Sequence, residues 1–196
     1  MSNTSVALFP LSSVLYPEGV LSLRIFEPRY LDMIRDCARH SAPFGVCLIL
    51  AGQEAGAPAR PAAIGTLAHI IDFHTLPDGL LGIHARGGER FRVLDTRVRD
   101  NGLILADVEI LDREDLVEMP PSCGLLAAIL ERLIEQIGGE YASVDRARYD
   151  DASWVGFRLG EALPLESHER QLLLQLTDPV ARLEQLMHYL PRFQDG

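Results

Sequence analysis

Lysine is missing altogether from this 196-residue chain, and all 18 of its basic positions are arginine. A Walker A loop needs a lysine to reach the β- and γ-phosphates, a Schiff-base enzyme needs an amine, and a Ser-Lys hydrolase needs lysine as its base. None of these can be built from this sequence. Cysteine is nearly as scarce: Cys37, Cys47 and Cys123 are odd in number and lack CxxC spacing, so neither a disulfide framework nor a zinc knot is expected. They read as buried free thiols. No apolar run reaches the roughly 18 residues of a membrane span, and MSNTSVALFPL lacks a basic segment leading into an apolar one. A cytoplasmic protein with no membrane association is expected. Positive charge is also short, with 18 basic against 28 acidic residues and a formal net charge of −10, which opposes binding to nucleic-acid phosphates. No nucleic-acid partner is expected.

What remains is 47% hydrophobic and 23% charged, an ordinary globular composition with enough length for one large core or two small ones. The stretch Ala63–Leu94, AIGTLAHIIDFHTLPDGLLGIHARGGERFRVL, carries the clearest structural signal. Two long apolar runs flank Leu76-Pro77-Asp78-Gly79-Leu80, where proline presets φ early in a turn and Gly79 tolerates positive φ. An antiparallel hairpin follows. Val6–Phe9, Gly19–Ile25 and Phe44–Leu50 read as further strands. A helix is expected from Pro28 to about Arg39, with Tyr30, Leu31, Ile34 and Ala38 at helical spacing. The Ala/Gly/Pro-rich stretch Gly52–Pro61 reads as a mobile loop. Asn101-Gly102 joins another strand pair, Arg97–Asp100 and Leu103–Leu111. Five or more strands with one small helix make a barrel-like or sandwich domain.

Composition changes at Asp112–Pro121, and a boundary is placed there, dividing the chain into 1–118 and 119–196. Beyond it the period is helical. Leu126, Ile129, Leu130, Leu133 and Ile137 share a face ended by Gly138-Gly139, and a second helix covers Ala152–Leu163. Glu169 suits the first turn of a third, followed by Leu172, Leu173 and Leu176. Asp178-Pro179 caps a last helix with Val180, Leu183, Leu186, Met187 and Leu190 inward, and Trp154 anchors the helical part. The fold class is therefore α+β.

Few residues suggest chemistry. With the hairpin turned at Pro77-Asp78-Gly79, Leu76 pairs with Leu80 and Asp72 falls opposite His84, with His74 and Arg86 on the same face. Asp72, His74 and His84 are metal-ligand types, but a one-residue slip would remove His84 from the set, so a polar outer face is the reading adopted. No metal or other cofactor is expected. His40, His69, His168 and His188 are scattered, and Ser12, Ser13 and Ser122 lack a nucleophile context. Gly87-Gly88 is read as a bulge or bend rather than a phosphate loop.

Three stretches together carry a family likeness: LFPLSSVLYPEGVLSLRIFEPRYLDMI from Leu8, the Ala63–Leu94 hairpin, and ALPLESHERQLLLQLTDPVARLEQLMHYL from Ala162. In this order and spacing the chain resembles the N-terminal substrate-binding domain of the Lon ATP-dependent protease. The resemblance implies a PUA-like β-barrel subdomain followed by a small α-helical bundle. It also implies a non-enzymatic role, since the P-loop ATPase and Ser-Lys protease modules of Lon do not lie within this sequence, which reads as a stand-alone form. The implied partners are polypeptide clients or a partner protein, with the chain acting as an adaptor or quality-control factor. A recognition surface needs exposed apolar groups framed by polar ones. Tyr16, Phe26, Tyr30, Phe73 and Phe91 are the candidates, with Arg29 of the Phe26-Glu27-Pro28-Arg29-Tyr30 motif either paired to Glu27 or lining a ligand groove. The alternatives are a hydrolase using a carboxylate or the Asp72, His74, His84 face, and a small-ligand or RNA-binding PUA-like protein.

Overall fold

The structure is a computed structural model that describes residues 4–138, 141 and 144–193. The chain forms two compact units, Met1–Arg113 and Glu114–Gly196.

The first unit contains β1 (Thr4–Leu11), β2 (Val20–Ile25), α1 (Pro28–His40), β3 (Phe44–Ala51), β4 (Arg60–Thr75), β5 (Leu81–Val98) and β6 (Ile104–Ile110). Their order in the sheet is β2-β5-β4-β3-β1-β6, and β5 also pairs with β6. That last pairing closes five strands into a ring and leaves β2 outside it, which is the barrel the resemblance implies. All the ladders are antiparallel except β1–β3. Closure depends on the length of β5, whose first half pairs with β2 and second half with β6. Between the halves, Ala68 and Thr66 face Gly87 and Arg90, so β5 carries an extra residue and bulges as Gly87-Gly88 suggested. A Cβ on Gly87 would collide with the Tyr16 carbonyl.

The two turns read from sequence are present. Gly79 has φ +82° and donates to the Leu76 carbonyl at 2.8 Å, and Gly102, also at +82°, donates to that of Arg99. Opposite faces of β1 feed two cores. Val6 and Leu8 join Cys47, Leu67, Phe91, Ile104, Ala106 and Val108. Phe9 and Leu11 join the α1 side chains Tyr30, Met33, Ile34 and Cys37. The α1 stripe is therefore not the expected one: Ala38 is exposed, and Cys37, one position earlier, faces inward. Between β3 and β4 the Phe91 ring fills space left by two glycines, and a Cβ on Gly45 or Gly65 would come within 2.8 or 2.7 Å of its Cζ. Burying an aromatic or aliphatic side chain of this size contributes about 1.5–3 kcal/mol.

The second unit contains α2 (Gly124–Ile137), α3 (Ala152–Ala162), α4 (Ser167–Gln175) and α5 (Pro179–Tyr189). Each later helix starts on a carboxylate. Asp151 accepts from the Ser153 and Trp154 amides, Glu166 and Glu169 form a capping box, and Asp178 accepts from Val180 ahead of Pro179. Gly138, at φ +66°, follows α2; Gly139 and the Ile137 side chain lie outside the described residues. Leu126, Leu130, Val155, Leu159, Leu173, Leu183 and Leu186 are buried, whereas Leu172 points outward at 41% exposure and Leu174 takes the inner place. Trp154 is buried and meets Tyr149 edge-on at 5.3 Å.

Fully buried Arg182 explains where the second unit begins. Its Nη1 donates to Glu114 at 2.9 Å, its Nε to the Leu173 carbonyl at 2.9 Å, and its guanidinium lies 3.8 Å from the Phe157 ring centroid. The extended stretch after Glu114 also bonds into this unit through Ala152 to the Val117 carbonyl and a Glu118–Asp151 bridge. The division at Arg113/Glu114 thus precedes the expected one at 118/119, because ion pairing and main-chain bonds hold residues 114–118 to the helices.

Candidate recognition surface

Beyond the ring, β2, the first half of β5 and the last third of β4 form a three-stranded extension whose two faces differ in chemistry. Cross-strand partners share a face. One face carries the rows Leu21–Ala85–Ile70, Leu23–Ile83–Phe73 and Ile25–Leu81–Thr75. The other carries Val20–Arg86–His69, Ser22–His84–Asp72 and Arg24–Gly82–His74. Parity holds across β4 because Ile71 is an extra residue between the Ile70 and Asp72 pairs.

The apolar rows bury Ile25, Ile83 and Ala85 against α1, with Leu21 and Leu23 partly covered. Within and beside these rows the covering is incomplete. Phe73 is 48% exposed, Ile71 49% and Phe26, directly after β2, 56%. These are the exposed aromatic and aliphatic groups that a recognition surface requires. The other candidates lie elsewhere. Tyr16, Tyr30 and Phe91 are buried core residues, with Tyr30 stacked on Phe9 at 4.0 Å, so none presents its ring at the surface. Arg29 is buried too. Its Nη2 pairs with Glu27 at 3.0 Å, its Nη1 donates to the Gly102 carbonyl at 3.1 Å, and its guanidinium sits over the Tyr30 ring at 4.7 Å. It ties the start of α1 to the β5–β6 turn, which makes it the structural member of the two roles considered. Burial pushes the Tyr30 phenol above its usual pKa, with the Arg29 charge opposing.

The polar face shows the expected Asp72–His84 register, with the His74 and His84 rings stacked at 4.6 Å. His84 Nδ1 lies 2.9 Å from the Ser22 hydroxyl, and Asp72 accepts from the Phe73 amide. Among the described residues no three His, Cys, Asp or Glu side chains converge as a metal site. The Ala/Gly/Pro-rich loop, expected to be mobile on composition, is pinned twice: Glu54 accepts from the Ser12 amide at 2.6 Å, and Gly56 donates to Glu27. The three thiols are buried and free, and burial pushes Cys47 up to about 12.

In the second unit, a groove of about 650 Å³ runs between Met119–Pro121, the Gly124–Ala127–Ala128 face of α2, and Arg146 with Tyr149. Sequence reasoning did not single it out. It also passed over Leu23 and Ile71, although the alternation Leu21-Ser22-Leu23-Arg24-Ile25 does show a half-covered strand.

The first unit thus combines a closed barrel with a three-stranded extension that leaves apolar side chains exposed. Residues 5–192 match the family described as the ATP-dependent protease La (LON) substrate-binding domain. The chain belongs to that family, whose matched module is the non-catalytic, substrate-recognition part of Lon. A crystal structure of a Lon N-terminal domain protein from Xanthomonas campestris is 46% identical, with a TM-score of 0.80, covering 95% of this chain and 98% of that one. The N-terminal domain of Mycobacterium avium complex Lon protease, at 18% identity, shares the fold with a TM-score of 0.68, over 95% of this chain and 97% of that one. Among full-length relatives, Lon protease of Endomicrobium trichonymphae is 24% identical over 90% of this chain and 23% of its own length. A LON peptidase N-terminal domain and RING finger protein of Schizosaccharomyces pombe is 26% identical over 95% of this chain and 45% of its own. The chain therefore spans 23% and 45% of the lengths of these two relatives. Among the described residues no helix is long and apolar enough to cross a membrane.

Proposed function

We propose that this chain holds unfolded or degron-bearing polypeptide segments, acting as an adaptor or quality-control factor in the cytoplasm. The observation that carries the reading is the exposure of Phe73 in an otherwise covered apolar row, together with the exposed Ile71 in the same strand and Phe26 directly after β2. Unfolded chains differ from folded ones mainly in offering apolar side chains and unpaired backbone, and such exposed groups accept the first. Three free thiols suit a reducing compartment.

The test is fluorescence anisotropy with labelled, reduced and carboxymethylated α-lactalbumin, a permanently unfolded probe. Replacing Phe26→Asp and Phe73→Asp together is expected to weaken binding about tenfold or more, at the level of one to two lost apolar contacts, with an unchanged circular dichroism spectrum. Unaltered affinity in the double variant would remove these side chains from the function.

A further inference from the structure

We infer that β2 offers its outer edge to an extended client segment, which joins the sheet as an added strand. This rests on the polypeptide-recognition reading and specifies how the client is held.

The ring strands β1, β3, β4, β5 and β6 each have a strand on both sides over part of their length, whereas β2 pairs with β5 alone. Gly87 donates to the Gly19 carbonyl at 2.8 Å, next to the Val20–Arg86 pair. Antiparallel alternation from that bond directs the main-chain groups of Leu21, Leu23 and Ile25 toward β5 and those of Val20, Ser22 and Arg24 away from it. Among the described residues no turn, loop or cap hydrogen bond engages a main-chain group of Val20–Ile25. Three donors and three acceptors therefore line the edge at strand spacing, and an extended backbone is their natural complement.

Edges of this kind are normally blunted by lysine, proline, a bulge or a covering element. Here the chain has no lysine, β2 contains no proline, and the β2–β5 register runs unbroken over six pairs, unlike β3–β4, β4–β5 and β5–β6, which all shift. The one charge on β2, Arg24, pairs with Asp78 in the hairpin turn. An added strand would extend the Leu23–Ile83–Phe73 row on one face and the Ser22–His84–Asp72 row on the other. The favoured client alternates apolar and polar residues. A second copy of this chain is a poorer occupant, because self-pairing brings together two molecules of formal charge −10.

Residue-resolved hydrogen exchange on the whole chain, with and without the carboxymethylated α-lactalbumin probe at saturation, tests this directly. The Val20, Ser22 and Arg24 amides are expected to slow about tenfold or more in the complex, while Leu21 and Leu23, already bonded to β5, change little. Binding without protection at Val20, Ser22 and Arg24 would overturn strand addition and leave polypeptide recognition standing; no binding would overturn both. Protection already present in the free protein, with a dimer in sedimentation, would assign the edge to a second copy and also overturn the proposal. As a second measurement, Ser22→Pro removes one outward donor at a position where an edge strand tolerates proline, and affinity is expected to fall about tenfold with an unchanged thermal melt. Wild-type affinity in that folded variant would count against the added strand.

Discussion

The two units hold themselves together by different means. In the β unit the order comes from main-chain ladders closing on themselves, and among the described residues seven large apolar side chains remain exposed: Phe26, Leu50, Ile71, Phe73, Leu94, Val98 and Ile110. In the helical unit only Leu116, Leu125 and Leu172 are so exposed among the described residues, and Arg158, Glu169 and Arg182 are buried, against Arg29 and Arg90 in the β unit. Helices of 9 to 14 residues are marginal on their own, and here side chains do the fastening. Arg170 alone donates to the carbonyls of Leu165, Glu161 and Leu163. A unit stabilised by its backbone can leave side chains at its margin for recognition; one stabilised by wired side chains has fewer to spare.

The largest expected effect belongs to that wiring. Arg182→Ala removes the charge partner of the largely buried Glu114 carboxylate, which keeps the Ser153 hydroxyl, and empties a fully buried site, at a cost of about 4 kcal/mol. Urea unfolding followed by Trp154 fluorescence measures it, since the sole tryptophan lies in the helical unit. A cost below about 1 kcal/mol would erase the contrast between the units. Phe91→Ala is next, at about 3 kcal/mol, because the flanking glycines have no side chains to move into the void. Exchange of the β6 amides reads that loss. The smallest effect is a pH dependence. The hydrogen bond from Arg192 holds the Glu169 carboxyl below its usual range, burial opposes, and the Glu166 amide adds to the lowering. The folded value lies below the unfolded one, so this stabilisation is complete above the ordinary carboxylate range and is lost as pH falls through the folded value. Glu169→Gln is therefore expected to be less stable than the parent at pH 7, with the two urea curves converging in acid.

Local signals in the sequence were readable where one or two residues dictate the backbone. Pro77-Asp78-Gly79, Asn101-Gly102, Pro28 and Asp178-Pro179 each mark a turn or helix start that the structure contains. Barrel closure was less visible, because it depends on β5 serving two partners across a bulge, and no window shorter than the whole strand encodes that. The unit boundary moved for a similar reason: Glu114 finds Arg182 across 68 residues. For the candidate surface, composition named the aromatics without their faces. Tyr16, Tyr30 and Phe91 are as apolar as Phe26 and Phe73, and only the three-dimensional packing separates core from margin.

The nesting of the Phe91 ring against Gly45 couples two positions far apart in the sequence, while Gly65 is held by the main chain of β3 as well. A Cβ on Gly45 meets side-chain atoms of Leu8 and the Phe91 ring, whereas one on Gly65 also meets the Val46 carbonyl, so shrinking the ring makes room at Gly45 and not at Gly65. Single changes at these sites are harmful in isolation, and a paired change such as Gly45→Ala with Phe91→Leu should be milder than the sum of its parts. Change at Gly45 and Phe91 is therefore easiest in compensated steps, and a variant at either position carries information about the other, whereas Gly65 has no such partner change.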